Sequence, residues 1–274
     1  MTCIASWVNP EMEENPCIWT IGDTLITSGD LNLSFESSKI FEINVTIRPF
    51  NSLFGRPQFS QQVGYAFAGS SMVGLNTFAT LSGILSNLTG RPQAVPSIKN
   101  IAATALKIID TYASSICSPS NNFEALIYGY CYRSTTFKRF HISKLANSNS
   151  ACFGIHQIPD NEIFLMGDKK QEIYDAISQL RENPSKGMSE HRIPVYVLSD
   201  IINDRKYPTI GGSIQMNICN KNYCYPMQAV GLKNDSDMRY RNFDLHADIG
   251  LAVGPCIFNM VGMYLKSFPP KENT

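Results

Sequence analysis

Between residues 68 and 116 the chain changes its hydrophobic period, and this change limits its fold more than any other feature. Up to Ala68 apolar residues tend to alternate. From Ser70 onward Met72, Leu75, Phe78, Ala79, Leu81 and Leu85 recur at helical spacing. Ser70 or Ser71 is placed to cap this helix, and Gly90 with Pro92 to end it. A second helix follows from about Ser97 to Ile116, with Ile98, Ile101, Ala102, Ala105, Ile108 and Ile109 on one face. Two such helices in succession carry too little polar surface to stand alone, so they must lie on a sheet.

The rest of the chain supplies the strands. Cys3 to Val8 alternates weakly, and Cys17 to Ile21 and Thr24 to Ser28 are β-prone runs separated by Gly22-Asp23, a hairpin signal. Lys39 to Val45 sends Ile40, Glu42 and Asn44 one way and Phe41, Ile43 and Val45 the other; Val63 to Phe67 is again β-prone. Asn9 to Pro16 and Asn51 to Gln62, with their prolines and polar residues, read as loops. Ala125 to Cys131, Phe137 to Ser143 and Cys152 to Ile155 have strand character. Asp168 to Arg181 is helical, with Ile173, Ile177 and Leu180 on its apolar face, and Pro194 to Ile202 is a fourth helix with proline in its first turn. Gly211-Gly212 opens a strand over Ser213 to Cys219, Asn220 to Asn222 turns, and Tyr223 to Val230 returns. If sequential strands pair as hairpins, the economical result is an α+β, four-layer αββα sandwich. Two antiparallel sheets would then lie between helical layers.

Composition excludes several classes of function. The chain has 274 residues, 43% hydrophobic and 17% charged, enough for one large domain or two small ones without disulfides or structural metal. Lys and Arg total 23, as do Asp and Glu, and no long basic block occurs, which argues against nucleic acid as a partner. The 8 cysteines form no Cys-x-x-Cys pair and have no metal-ligand spacing with the 4 histidines, so neither metal nor cofactor is expected. The first residues lack the basic and apolar regions of a secretory signal, pointing to the cytoplasm. The uncharged run Ile249 to Leu265 touches the lower limit of a membrane span, about 17 residues. Because Gly250, Gly254, Pro255, Asn259 and Gly262 interrupt it, it reads as a buried strand pair or short helix, and no membrane partner is expected.

The first residues carry the chemistry. Removal of Met1 would leave Thr2 with a hydroxyl nucleophile and a free α-amine on one residue. The ordinary amine pKa of about 7.7–8.0 leaves part of it unprotonated near neutral pH. Thr2 opening the first strand, Gly22-Asp23 after the second, Lys39 within Ser38-Lys39-Ile40-Phe41-Glu42-Ile43 and Gly69 within Tyr65-Ala66-Phe67-Ala68-Gly69-Ser70 together resemble the proteasome β-type subunits and their bacterial relatives, which are N-terminal-nucleophile (Ntn) hydrolases. The step from Asp23 to Lys39 is the family's usual one. That from Thr2 to Asp23 is longer, and the loop Asn9 to Pro16 accounts for the excess. Ile210-Gly211-Gly212-Ser213-Ile214 resembles the turn before the family's last strand pair. The similarity covers roughly residues 2–230. It implies an Ntn-hydrolase-like domain over 1–230 and a C-terminal extension, 231–274, packed on it.

The resemblance implies an αββα hydrolase cutting peptide or amide bonds. Thr2 would attack, its amine would relay the proton, and Lys39 would lower the pKa of both groups. Asp23 would hold Lys39, and the Gly69 N–H would face the oxyanion. It also implies a homo-oligomer assembled through its helices. Any ATPase partner would be a separate protein, since no phosphate-binding loop occurs here. Two places depart from the family. Tyr207 and Ile210 stand where an acid and a serine are usual, and Gly154-Ile155-His156 stands where a serine-bearing turn is usual. A catalytically inactive structural or binding subunit on the same fold is therefore the alternative, with a small-molecule amidase as a third reading. His141, His156 and His246 read as ordinary histidines rather than catalytic ones.

Overall fold

The structure is a computed structural model that describes residues 2–11, 16–28, 31–50, 55–91, 93–116, 123–145, 152–184, 188–230, 239–240, 243–244, 252–257 and 262–264. Its first six strands are β1 (Cys3–Asn9), β2 (Cys17–Asp23), β3 (Ile26–Ser28), β4 (Leu31–Ser34), β5 (Ile40–Pro49) and β6 (Phe59–Ala68). Helix α1 (Ser71–Leu85), strand β7 (Leu88–Gly90) and helix α2 (Ile98–Ser115) follow. Next come β8 (Glu124–Cys131), β9 (Thr136–Lys144), β10 (Phe153–Ile158), β11 (Phe164–Gly167), α3 (Lys170–Glu182) and α4 (Ile193–Asn203). The chain continues through β12 (Ile214–Cys219), β13 (Cys224–Val230), β14 (Arg239–Tyr240), β15 (Phe243–Asp244), β16 (Ala252–Val253), β17 (Cys256–Ile257) and β18 (Gly262–Tyr264).

The helix starts follow from local chemistry. The Ser70 side chain accepts the Val73 N–H at the head of α1. At α2 Ser97 and Asn100 form a reciprocal capping box, which satisfies donors that a helix start otherwise leaves open. Pro194 sits in the first turn of α4, where no N–H is needed. The anticipated stop at Gly90 comes late, since α1 ends at Leu85 and Leu88–Gly90 is a strand. Pro92 and His246 lie outside the described residues, as do eight of the 17 residues from Ile249 to Leu265; the described ones include the paired strands β16 and β17, where Val253 is exposed rather than buried. No helix among the described residues is long and apolar enough to cross a membrane.

Alternation along each strand sorts the core. In β6 Val63, Tyr65 and Phe67 join the cluster that holds Val73 and Leu81 of α1 and Ile101 and Ala105 of α2. Ala66 and Ala68 face the other way, into a cluster shared with Ile4 of β1 and Ile18 of β2. In β1 Cys3, Ala5 and Trp7 pack with Ile173 and Ile177 of α3 and Leu198 and Ile201 of α4. Strand β1 is thus buried on both faces, and burying a side chain such as Ile4 contributes about 1.5–3 kcal/mol. Arg139 of β9 ties the sheets together. Fully buried, it donates to the carbonyls of Ser6 in β1 at 2.5 Å, Pro159 at 2.5 Å and Glu162 at 2.9 Å.

The sheets themselves correct the expectation of an αββα sandwich built from two antiparallel sheets. One sheet runs β11-β1-β2-β12-β13-β18 and the other β10-β9-β8-β6-β5-β7, with β3–β4, β14–β15 and β16–β17 as separate two-stranded ribbons. Each six-stranded sheet is mixed, because β18 pairs parallel to β13 and β7 parallel to β5. The sheet containing β5 curls into a half-barrel rather than forming one flat layer of a two-sheet helical sandwich. The hairpin assumption failed because β7 returns to β5 only after β6 and α1, and such a crossover delivers a parallel strand. Gly22-Asp23 is likewise no hairpin turn. It ends β2, with Gly22 opposite both Ile4 and Gln215.

Candidate active site

Thr2 precedes β1, Asp23 ends β2 and Lys39 precedes β5, so the first two stand at strand ends of one sheet and the third at a strand end of the other. The three meet where the ends of these strands converge. Lys39 Nζ donates to Thr2 Oγ1 at 2.5 Å and to the Leu25 carbonyl at 2.5 Å, and lies 3.4 Å from each Asp23 carboxylate oxygen. All three residues are buried.

Backbone donors hold this arrangement. Asp23 Oδ1 accepts the Cys3 N–H at 2.9 Å, and Oδ2 accepts those of Leu25 at 3.1 Å and Gly211 at 3.2 Å. Gln215 of β12 fixes the approach of Lys39, because its Oε1 accepts the N–H of Lys39 at 2.8 Å and its Nε2 donates to the Ser37 carbonyl at 3.0 Å. Burial pushes the Lys39 ammonium below its ordinary pKa, opposed by the Asp23 charge. Burial also raises the Asp23 carboxyl, opposed by Lys39 and the three N–H groups. A desolvated ammonium against a hydroxyl oxygen stabilises any negative charge that develops there.

Gly69 adopts a positive φ of 99° at the turn between β6 and α1, a conformation that favours glycine. It lines a cleft of about 420 Å³ together with Thr2, Ala68, Phe123, Glu124 and His141. Of the four residues singled out from the sequence, Lys39 touches both Thr2 and Asp23, and Gly69 shares the cleft with Thr2.

The sequence reading missed the opposite wall. Asp168 N–H donates to the Thr2 carbonyl at 2.7 Å, and Asp168 Oδ2 accepts the Thr209 hydroxyl at 2.5 Å. The late turn that abuts Thr2 is therefore Gly167-Asp168, after β11. Gly154-Ile155-His156 lies in β10, with Ile155 against the α1–α2 core and His156 exposed. A Gly-Asp pair directly ahead of a helix was the available signal. Tyr207 and Ile210 pack with the core beneath α3 and α4. His141, set aside as ordinary, also lines the cleft. Its Nε2 lies 2.8 Å from Glu124 Oε2, while Lys170 Nζ is 2.8 Å from both Glu124 oxygens. Among the described residues no group of His, Cys, Asp and Glu could hold a metal ion.

No protein-family model matches this sequence, and no curated protein matches it. Solved structures do. The fold is similar to that of Anbu proteins. Anbu (ancestral beta-subunit) from Yersinia bercovieri superposes with a TM-score of 0.53 at 14% identity, covering 82% of this chain and 86% of that one. The helical assembly of the Anbu complex from Pseudomonas aeruginosa gives 0.54 at 12% identity, covering 82% and 85%. These matches correct the resemblance to proteasome β-type subunits and their Ntn-hydrolase relatives. At 12–14% identity they show a shared fold alone and do not show membership of the proteasome β-type family. Short motifs such as Gly-Asp and Phe-Ala-Gly satisfy turn geometry common to many chains, so they do not specify a family.

Proposed function

We propose that this chain is a threonine-type amide hydrolase whose nucleophile is Thr2, exposed by removal of Met1. The observation that carries this reading is the buried Lys39 ammonium, 2.5 Å from Thr2 Oγ1 and paired with Asp23. The α-amine of Thr2 takes the hydroxyl proton as Oγ bonds to the amide carbon. The carbonyl π electrons move onto oxygen, facing the Gly69 N–H. Collapse of that adduct breaks the C–N bond, and the proton passes to the leaving nitrogen. Water then cleaves the acyl-Thr2 ester by the same proton route in reverse. The substrate is a peptide or other amide, the protein works in the cytoplasm, and copies of the chain self-assemble, as the Pseudomonas Anbu complex does in its helical assembly.

The test is the intact mass of the purified protein before and after a threonine-directed β-lactone. Loss of Met1 and one adduct, absent in Thr2→Ala, is the expected result. Retained Met1 with no adduct would sink the proposal. The second reading, a non-catalytic subunit on the same fold, is favoured by Ile210, buried in the core, and Tyr207, partly buried against it, where the resemblance expects an acid and a serine. It predicts assembly without any adduct.

A further inference from the structure

Glu124 is the cross-strand neighbour of Ala68, and so stands beside Gly69 at the edge of the cleft that Thr2 lines. It is held from several sides. His141 Nε2 hydrogen-bonds its Oε2 at 2.8 Å, the Gly167 N–H donates to its Oε1 at 3.3 Å, and the Lys170 ammonium lies 2.8 Å from both oxygens. The His141 ring is itself seated against Phe164, with centroids 4.8 Å apart.

These partners differ in mobility. Glu124 and His141 project from neighbouring central strands and are 19% and 15% exposed, whereas Lys170 reaches in from the first turn of α3 and is 43% exposed. A half-exposed lysine held by one carboxylate gains little from the pairing, so another ammonium exchanges with it at little cost. The carboxylate cannot leave. An anionic ligand would have to enter beside this fixed negative charge.

We propose that Glu124 is the recognition carboxylate for a cationic substrate group, a lysine-like ammonium, and that the Lys170 side chain holds this place in the structure. The proposal rests on Thr2 being the nucleophile of the same cleft. It gives the hydrolase a preference for amides carrying a positive charge next to the cut bond. Lys170 swings out toward solvent as that charge enters, and Glu124 keeps its His141 and Gly167 partners throughout. Binding involves no covalent step.

The experiment is calorimetric titration of the full-length protein with N-acetyl-lysine amide and with its uncharged counterpart, N-acetyl-norleucine amide, alongside β-lactone labelling. The lysine compound should bind at least about tenfold more tightly, the scale of one charge-assisted hydrogen bond. The ratio should fall to about one in Glu124→Gln, which keeps the size of the side chain, and should rise in Lys170→Ala, which leaves the strands untouched. Equal binding of the two compounds, or a preference that survives Glu124→Gln in a variant with native circular dichroism, overturns the subsite. If Glu124→Gln does not fold, Lys170→Ala decides, because an unchanged or reduced ratio there has the same force. Absent β-lactone labelling with intact lysine selectivity would remove the nucleophile proposal instead, so the two failures are distinguishable.

Discussion

Gly167 and Thr2 are packed so closely that a Cβ on Gly167 would overlap the Thr2 carbonyl oxygen. Gly167 also has a φ of +95°, so alanine there meets both a clash and an unfavourable backbone. Gly167→Ala should lose about 1–3 kcal/mol of stability in urea unfolding. Its β-lactone labelling rate should fall further than stability alone explains, since the displaced residue carries the proposed nucleophile. A variant that labels at the wild-type rate would show that this contact does not position Thr2.

Removing the Lys39 ammonium leaves Asp23 buried without its cation. Lys39→Ala should therefore cost about 3–5 kcal/mol in denaturant unfolding. Thr2→Ala, which removes only the hydroxyl and a methyl, should unfold close to wild type. Both should abolish labelling. If Lys39→Ala labels within tenfold of wild type, the ammonium does not activate the hydroxyl.

Arg139 bridges from β9 to the β1 backbone, and its three hydrogen bonds end on carbonyls. Arg139→Met keeps much of the volume and removes the donors. Each buried carbonyl left without a partner costs about 1–3 kcal/mol, so a large fall in urea midpoint is expected. Backbone hydrogen exchange at Ser6 and Trp7 should quicken more than at α2, on the far side of β6.

Acid should weaken the protein through Glu124. Burial raises its pKa, but the bonds from His141 and Lys170 outweigh burial and hold it below the ordinary value of 4.5. A carboxyl with a depressed folded-state pKa stabilises the fold above its unfolded value, and that stability is lost as pH falls through the folded value. The urea midpoint should therefore drop below about pH 4.5 in wild type, and less steeply in Glu124→Gln. Parallel acid limbs in the two proteins would mean that Glu124 carries no such linkage.

Much of the local structure was present in the residues. Capping located α1 and α2, because an N-cap acts within a few residues of chain, and the apolar repeat placed the buried face of α2. On α1, Met72, Leu75 and Ala79, expected on the apolar side, are exposed, and Val73, Gly74 and Thr77 are buried instead. Thr2, Asp23, Lys39 and Gly69 also stood out, each at a strand end or turn. Sheet pairing did not follow from neighbourhood. β1 takes β11 as one partner and β2 takes β12, from the distant second half of the chain, while β7 and β18 enter as parallel edges.

By itself the sequence determined the helices α1 to α4, most of the longer strands and the residues able to carry hydroxyl, ammonium and carboxylate chemistry, but did not mark the short strands β4, β7 and β11. Only the tertiary structure decided that Lys39 crosses from one sheet to Asp23 of the other, and that Gly167-Asp168 rather than Gly154-Ile155-His156 closes on Thr2. It alone brought Glu124, His141 and Lys170 into the same cleft. The reason is physical. These contacts join segments far apart in the chain, and several run through backbone groups, such as the Thr2 carbonyl and the Gly167 N–H, which every residue possesses and no sequence pattern can mark.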